Sequence, residues 1–88
     1  MEIKVKILNR LGLHARPAAL IAQCANKFSA DILLSRDTDN RADAKSILSL
    51  LMLGAPCGAE ITIAASGADA DDAVQAVANL FESKFDEE

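Results

Sequence analysis

The chain opens on Met1-Glu2-Ile3-Lys4-Val5-Lys6-Ile7, and much later it runs Glu60-Ile61-Thr62-Ile63-Ala64-Ala65. In both stretches an apolar residue stands at every second position. Successive side chains on a strand point to opposite faces, so each stretch predicts a strand with one packed face and one wet face. Sheets wet on one side are built from antiparallel strands. The packed side needs a layer of helices, so a two-layer α+β domain follows.

The intervening sequence supplies the other elements. Residues 30–36 read as a second strand, Asp37-Thr38-Asp39-Asn40 as a turn, and 41–43 as a short third strand. A first helix is predicted over 15–27, with Pro17 in its first turn and Leu20, Ile21, Cys24 and Phe28 on its apolar stripe. Ser46 suits an N-cap and Gly54 a terminator, which frames a short helix over Ile47–Leu53. Asp69 and Asp72 resemble a capping box. Ala73, Val74, Val77, Leu80, Phe81 and Phe85 form the stripe of a last helix. The order is β-α-β-β-α-β-α: about four mostly antiparallel strands with three helices on one face.

At 88 residues the chain is one domain, 1–88. It lacks Trp and Tyr, has only Phe28, Phe81 and Phe85 as aromatics, and carries a net charge of −4. A stacking surface for nucleic acid is therefore not expected, nor is wrapping of a polyanion. The single histidine, His14, excludes a two-histidine metal site, and Cys24 and Cys57 lack zinc spacing. Asp69, Asp71 and Asp72 read as first-turn helix charges and not as metal ligands. The alternating N-terminus is not a signal peptide, and no apolar run is long enough to span a bilayer. A cytoplasmic monomer without membrane insertion is the expectation. Residues 1–45 carry eight basic and five acidic groups, and residues 46–88 one basic and eight acidic. That split fits an acidic last helix and tail, or a mildly positive first half facing an acidic partner or a phosphate.

The Ile47–Leu53 segment is apolar nearly all round, a pattern normal for a helix buried on every side. In a two-layer domain its outer face has no cover. Leu50 and Leu53 are expected in the core, leaving Ile47, Leu48, Leu51 and Met52 as an exposed docking patch unless the following loop or the last helix covers them. Ala19, on the first helix, is counted with this docking set. Cys24 is expected in the core and Cys57 in an exposed turn.

His14 stands just before a helix, followed by Arg16. Free amides and the positive end of the helix dipole favour an anion there. A neutral imidazole nitrogen can attack phosphorus, and the adduct would rest against the backbone of Ala15 and Arg16 with the guanidinium as counter-ion. Taken alone, a loop histidine is more often a solvated side chain or a local hydrogen-bonder.

Gly12-Leu13-His14-Ala15-Arg16-Pro17-Ala18 resembles the active-site signature of HPr, the histidine-containing phosphocarrier of the bacterial phosphotransferase system. Ala44-Lys45-Ser46-Ile47, followed by an apolar helix and Gly54, resembles that family's serine-phosphorylation region. The resemblance implies an open-faced β-sandwich. It implies that His14 takes a phosphoryl group on Nδ1 from phospho-enzyme I and passes it to a histidine of an enzyme IIA protein, with Arg16 as partner. It also implies an HPr serine kinase/phosphorylase acting at Ser46 in hosts that have one. No cofactor and no metal are implied on this chain. Such a carrier is modified in each cycle and emerges unchanged, so it is an enzyme only by a broad definition.

The family has a sugar branch and a nitrogen branch. Leu50-Leu51-Met52-Leu53 and the ending Leu80-Phe81 … Phe85-Asp86-Glu87-Glu88 look more like the nitrogen branch. Gln23 and Asn26 stand where enteric sugar-branch carriers often place lysines, with only Lys27 remaining. The alternative reading is a regulatory binding module of nitrogen-branch type, whose phosphorylation state controls a partner.

Overall fold

In the computed structural model, which describes residues 1–86, β1 (Glu2–Lys6) and β2 (Asp31–Ser35) do not touch; β4 (Glu60–Ser66) lies between them. With β3 (Arg41–Asp43) at the other edge, the sheet order is β1-β4-β2-β3, and every pairing is antiparallel. The helices are α1 (Ala15–Ala25), α2 (Ile47–Leu53) and α3 (Ala70–Glu82). This is the open-faced α+β arrangement expected. Glu87 and Glu88, the end of the acidic tail, lie outside the described residues.

The period-two pattern decides which face packs. Ile61, Ile63 and Ala65 of β4 and Ile32 and Leu34 of β2 are buried, while their alternates Glu60, Ser66, Asp31 and Leu33 are exposed. The helices close over the buried set, with Val74, Val77 and Phe81 of α3 at its centre. No helix among the described residues is long and apolar enough to cross a membrane.

Three expectations are corrected. The stripe of α1 is centred on Pro17, Ala18, Ile21, Ala22 and Ala25, and Cys24 is only half-buried at its margin with Leu20 and Phe28. Small residues let the helix approach the core closely, which pushes the larger ones to the flank. Burial still raises the Cys24 thiol pKa, and the Lys27 charge opposes that. Second, α3 ends at Glu82, before Phe85. The chain then turns through Lys84, Phe85 and Asp86 with φ of 55°, 54° and 59°. Left-handed backbone costs roughly 1–2 kcal/mol per residue. The return is a fully buried Phe85 ring set edge-on to Phe81 at 4.9 Å, of comparable size with the aromatic contact included.

Third, Asp69 makes no cap bond to its own helix. Its carboxylate accepts hydrogen bonds from the Ser29 and Ala30 amides, at 2.9 and 2.8 Å. It thus ties the start of α3 to the loop between α1 and β2. Asp71 and Asp72 do sit in the first turn of α3.

Those two amides, the Ser29 one foremost, lower the Asp69 pKa. A carboxylate with a depressed folded-state pKa adds stability above its unfolded value, near 3.9, and loses it as pH falls through the folded value. Asp69→Ala is therefore expected to melt several degrees below the parent at neutral pH. The gap should close as melts are repeated from about pH 4 downward, and a gap independent of pH would contradict the tether.

Candidate functional site

The loop before α1 is fixed from both sides. The buried side chain of Asn9 donates through Nδ2 to the Gly12 carbonyl at 2.7 Å, and the Gly12 amide returns to the Asn9 carbonyl at 3.1 Å. Gly12 has φ +70°, a conformation that disfavours side chains. It is also pressed against the turn after α2: a Cβ there would lie 2.7 Å from the Ala55 carbonyl oxygen and 3.0 Å from Pro56 Cα. The next residue, buried Leu13, donates its amide to that same Ala55 oxygen at 2.9 Å. His14 follows with its backbone already placed.

His14 is the N-cap residue of α1, with extended φ −100° and ψ −167°, and its ring is half-buried. Its carbonyl accepts from the Ala18 amide at 3.0 Å, the first bond of the helix. Ala15 and Arg16 stand in the first turn of α1, where amides have no intrahelical acceptor, and Pro17 beside them has no N–H. Arg16 is exposed. Helical side chains lean toward the N-terminus, so its guanidinium can reach back over the same spot. His14 as N-cap, the first-turn residues Ala15 and Arg16, and the positive end of the helix dipole thus stand together at the start of α1.

Beside this point lies α2, running antiparallel to α1. Its C-terminal turn meets the His14 loop through Ala55, and its start meets the far end of α1, where Asn26 Nδ2 bonds the Lys45 carbonyl at 3.1 Å and Lys45 Nζ the Phe28 carbonyl at 2.9 Å. Asn26, read from sequence as a missing docking lysine, is a structural strut. Ser46 caps α2, its Oγ accepting from the Ser49 amide at 3.2 Å, and Gly54 ends the helix at φ +63°. Leu50 and Leu53 are buried. Leu48 is 68% exposed and Met52 78%, with Ile47 and Leu51 exposed beside them. The apolar outer face is uncovered, and half-buried Ala19 lies on α1 one turn after the His14 site.

Three participants escaped the sequence reading. Leu11 is 74% exposed in the loop just before His14. Asn9 holds the loop; an asparagine three residues before a glycine is its only sequence signal. Arg36 Nη1 reaches the Gly54 carbonyl at 3.4 Å, placing a cation at the C-terminus of α2. Cys57 is exposed, as expected for a turn.

Comparison with known proteins gives a consistent picture. Residues 1–83 match the family model described as PTS HPr component phosphorylation site. The chain is 48% identical over 84 residues to phosphocarrier protein HPr of Treponema pallidum, covering 96% of this chain and 94% of the relative. It is 42% identical over 84 residues to phosphocarrier protein NPr of Escherichia coli K12, covering 96% and 93%. The crystal structure of HPr-C-His from Thermoanaerobacter tengcongensis superposes with a TM-score of 0.93 at 42% identity, covering 100% of this chain and 98% of that one.

The contact of Gly12 with the turn after α2 predicts a large effect from one methyl group. Gly12→Ala meets both an unfavourable φ and a backbone oxygen, so a loss of roughly 2–4 kcal/mol is expected in urea unfolding. Stability equal to the parent would mean the loop is not held there.

Proposed function

Because the chain belongs to the HPr family of phosphocarriers of the phosphotransferase system, we propose that His14 is its phosphoryl-accepting residue. The observation that carries this is the placement of His14 as the N-cap of α1, directly before the first-turn amides of Ala15 and Arg16. In the first transfer the bond between phosphorus and the histidine of phospho-enzyme I breaks as a bond to His14 Nδ1 forms. In the second, that bond breaks as phosphorus joins a histidine of an enzyme IIA protein. Arg16 follows the moving charge. Both partners meet the carrier in the cytoplasm through Ala19, Ile47, Leu48, Leu51 and Met52. Met52 suits a face that fits two partners in turn, since its side chain repacks easily.

Ser46 is a second modification site for hosts with an HPr serine kinase/phosphorylase. Its hydroxyl already caps α2, and a phosphate at a helix start is favoured by the dipole. The seven residues of α2 separate Ser46 from the turn that holds the His14 loop, a rise of about 10 Å. That is about one Debye length in physiological salt. A charge at Ser46 therefore acts on docking at the apolar patch more than on the reacting phosphorus.

The direct test is incubation with enzyme I and labelled phosphoenolpyruvate. Acid-labile label is expected in the parent and none in His14→Ala. Arg16→Ala should transfer ten- to a thousandfold more slowly with its fold intact, the scale of one lost electrostatic contact. Full labelling of His14→Ala would end the proposal.

Docking gives a separate measurement. Ser46→Asp should raise the KM for enzyme I about tenfold, equivalent to roughly 1.4 kcal/mol, and the defect should shrink as salt rises. Leu48→Asp should weaken both transfers with little change in melting temperature. A Ser46→Ala variant as impaired as Ser46→Asp would mark the serine as a cap alone.

A further inference from the structure

Arg36 stands directly after β2, following Leu34 and Ser35. Leu34 is buried toward the helices, so alternation turns Ser35 to the bare face of the sheet and Arg36 back to the helix side. There its Nη1 donates to the carbonyl of Gly54, the exposed residue that ends α2. The next residue, Ala55, holds the Leu13 amide through its own carbonyl, and Leu13 directly precedes His14. The guanidinium is thus anchored where the apolar face of α2 stops and the His14 loop begins. That bond takes a single N–H. A guanidinium presents several more in a planar fork that matches a carboxylate.

The charges around the apolar face have one sign. Neither α1 nor α2 contains an acidic residue. Arg16 lies in the first turn of α1, and the two helices are antiparallel, so Arg16 and Arg36 stand at the same end of the patch. Lys27 is exposed at the other end, where Lys45 Nζ is bonded to the Phe28 carbonyl. Asp31 and Asp43 belong to the bare face of the sheet by the same alternation. Asp37 and Asp39 follow Arg36 in the turn. The Asp37 carboxylate is engaged within that turn: Oδ1 accepts from the Asp39 and Asn40 amides at 2.9 and 3.0 Å, and Asn40 Nδ2 donates to Oδ2 at 2.9 Å. These two acids weaken the field of Arg36 at a distance, so the arginine acts by direct contact.

We infer that Arg36 is a docking residue whose guanidinium takes up a carboxylate of the protein that delivers the phosphoryl group. The inference rests on the phosphocarrier reading above. A partner that fits an apolar face rimmed by cations brings an apolar surface rimmed by acids. Because Gly54 already holds the guanidinium, less side-chain freedom is lost when the carboxylate arrives. Arg36 therefore selects among acidic partners by position. A carboxylate set opposite the end of α2 gains a forked contact, and one set elsewhere does not.

The test joins phosphorylation of the whole chain by phospho-enzyme I to a titration that needs no transfer. Arg36→Gln should raise the KM for the carrier roughly three- to tenfold, the scale of one exposed charge-assisted contact, with the effect falling on KM and not on kcat. Arg36→Lys keeps the charge but lacks the fork, and its KM should fall between those of the parent and Arg36→Gln. Arg41→Gln removes an equal charge from the bare face and should keep the parent's KM. In the titration, enzyme I is added to isotope-labelled chain and the Arg36 side-chain N–H signal is followed by NMR; it should shift as the complex forms. An Arg36→Gln variant with the parent's KM would overturn the inference. So would an equal defect in Arg41→Gln, which would mark net charge as the cause. A lower melting temperature at unchanged KM would reduce Arg36 to a support for Gly54 and overturn it as well. Label on His14 alongside any of these results leaves the phosphocarrier reading standing. Absence of label in the parent removes that reading, and the titration then decides for Arg36 alone: a shifted signal upholds the contact, an unshifted one overturns it.

Discussion

A single contact, the backbone of Gly12 and Leu13 pressed on Ala55 and Pro56, joins everything that matters at the site. It fixes the loop that carries His14, sets where α1 begins, and locks the end of α2 beside that beginning. The contact exists because residue 12 lacks a side chain and because Asn9 supplies, from inside the core, a donor for the Gly12 carbonyl. Burying a polar side chain is costly unless it is bonded. The bond that offsets this cost for Asn9 is also the one that shapes the loop. Core packing and site geometry are therefore one property here.

The openness of the site has a chemical logic. A carrier must accept a phosphoryl group and surrender it with little change in free energy. A deep pocket lined with cations would hold the group too well. On the proposed reading, two amides, a dipole and one exposed guanidinium stabilise the anion modestly and leave its far side to the partner. The partner then completes the charge stabilisation in each transition state, where differential binding accelerates the reaction. On the same reading, the uncovered apolar face of α2 supplies association energy beside His14. Its antiparallel placement puts Ser46 at the remote end of that face.

Much of this was legible in the residues. The alternation around Ile3 and Val5 and around Ile61 and Ile63 encodes local geometry, and so do the Ser46 and Gly54 caps, which bound α2 where the structure has it. The uncovered patch followed from counting faces: a helix apolar all round has too much apolar surface for a two-layer domain. What stayed hidden was tertiary. Asp69 has a local role open to it as a cap, but two adjacent amides in the α1–β2 loop compete for its carboxylate and win. The spacing of Phe81 and Phe85 fits a continuous helix as well as a turn that folds the second ring back. Asn26 and Lys45 look like surface polar groups until α1 and α2 are set side by side.

The position of β4 between β1 and β2 bears on how the chain comes to be made. Glu2 pairs with Ala64, and Asp31 with Ser66, so both inner pairings wait for the same late strand. Contacts so distant along the sequence demand closure of long loops, which slows folding. During synthesis the first two strands leave the ribosome with nothing to separate them. The turn at Ala55, against which the histidine loop must press, is only slightly earlier than β4 itself. The histidine loop of a nascent chain thus lacks its supporting contact through most of translation. His14 takes up its place at the start of α1 only when the sheet can close around it.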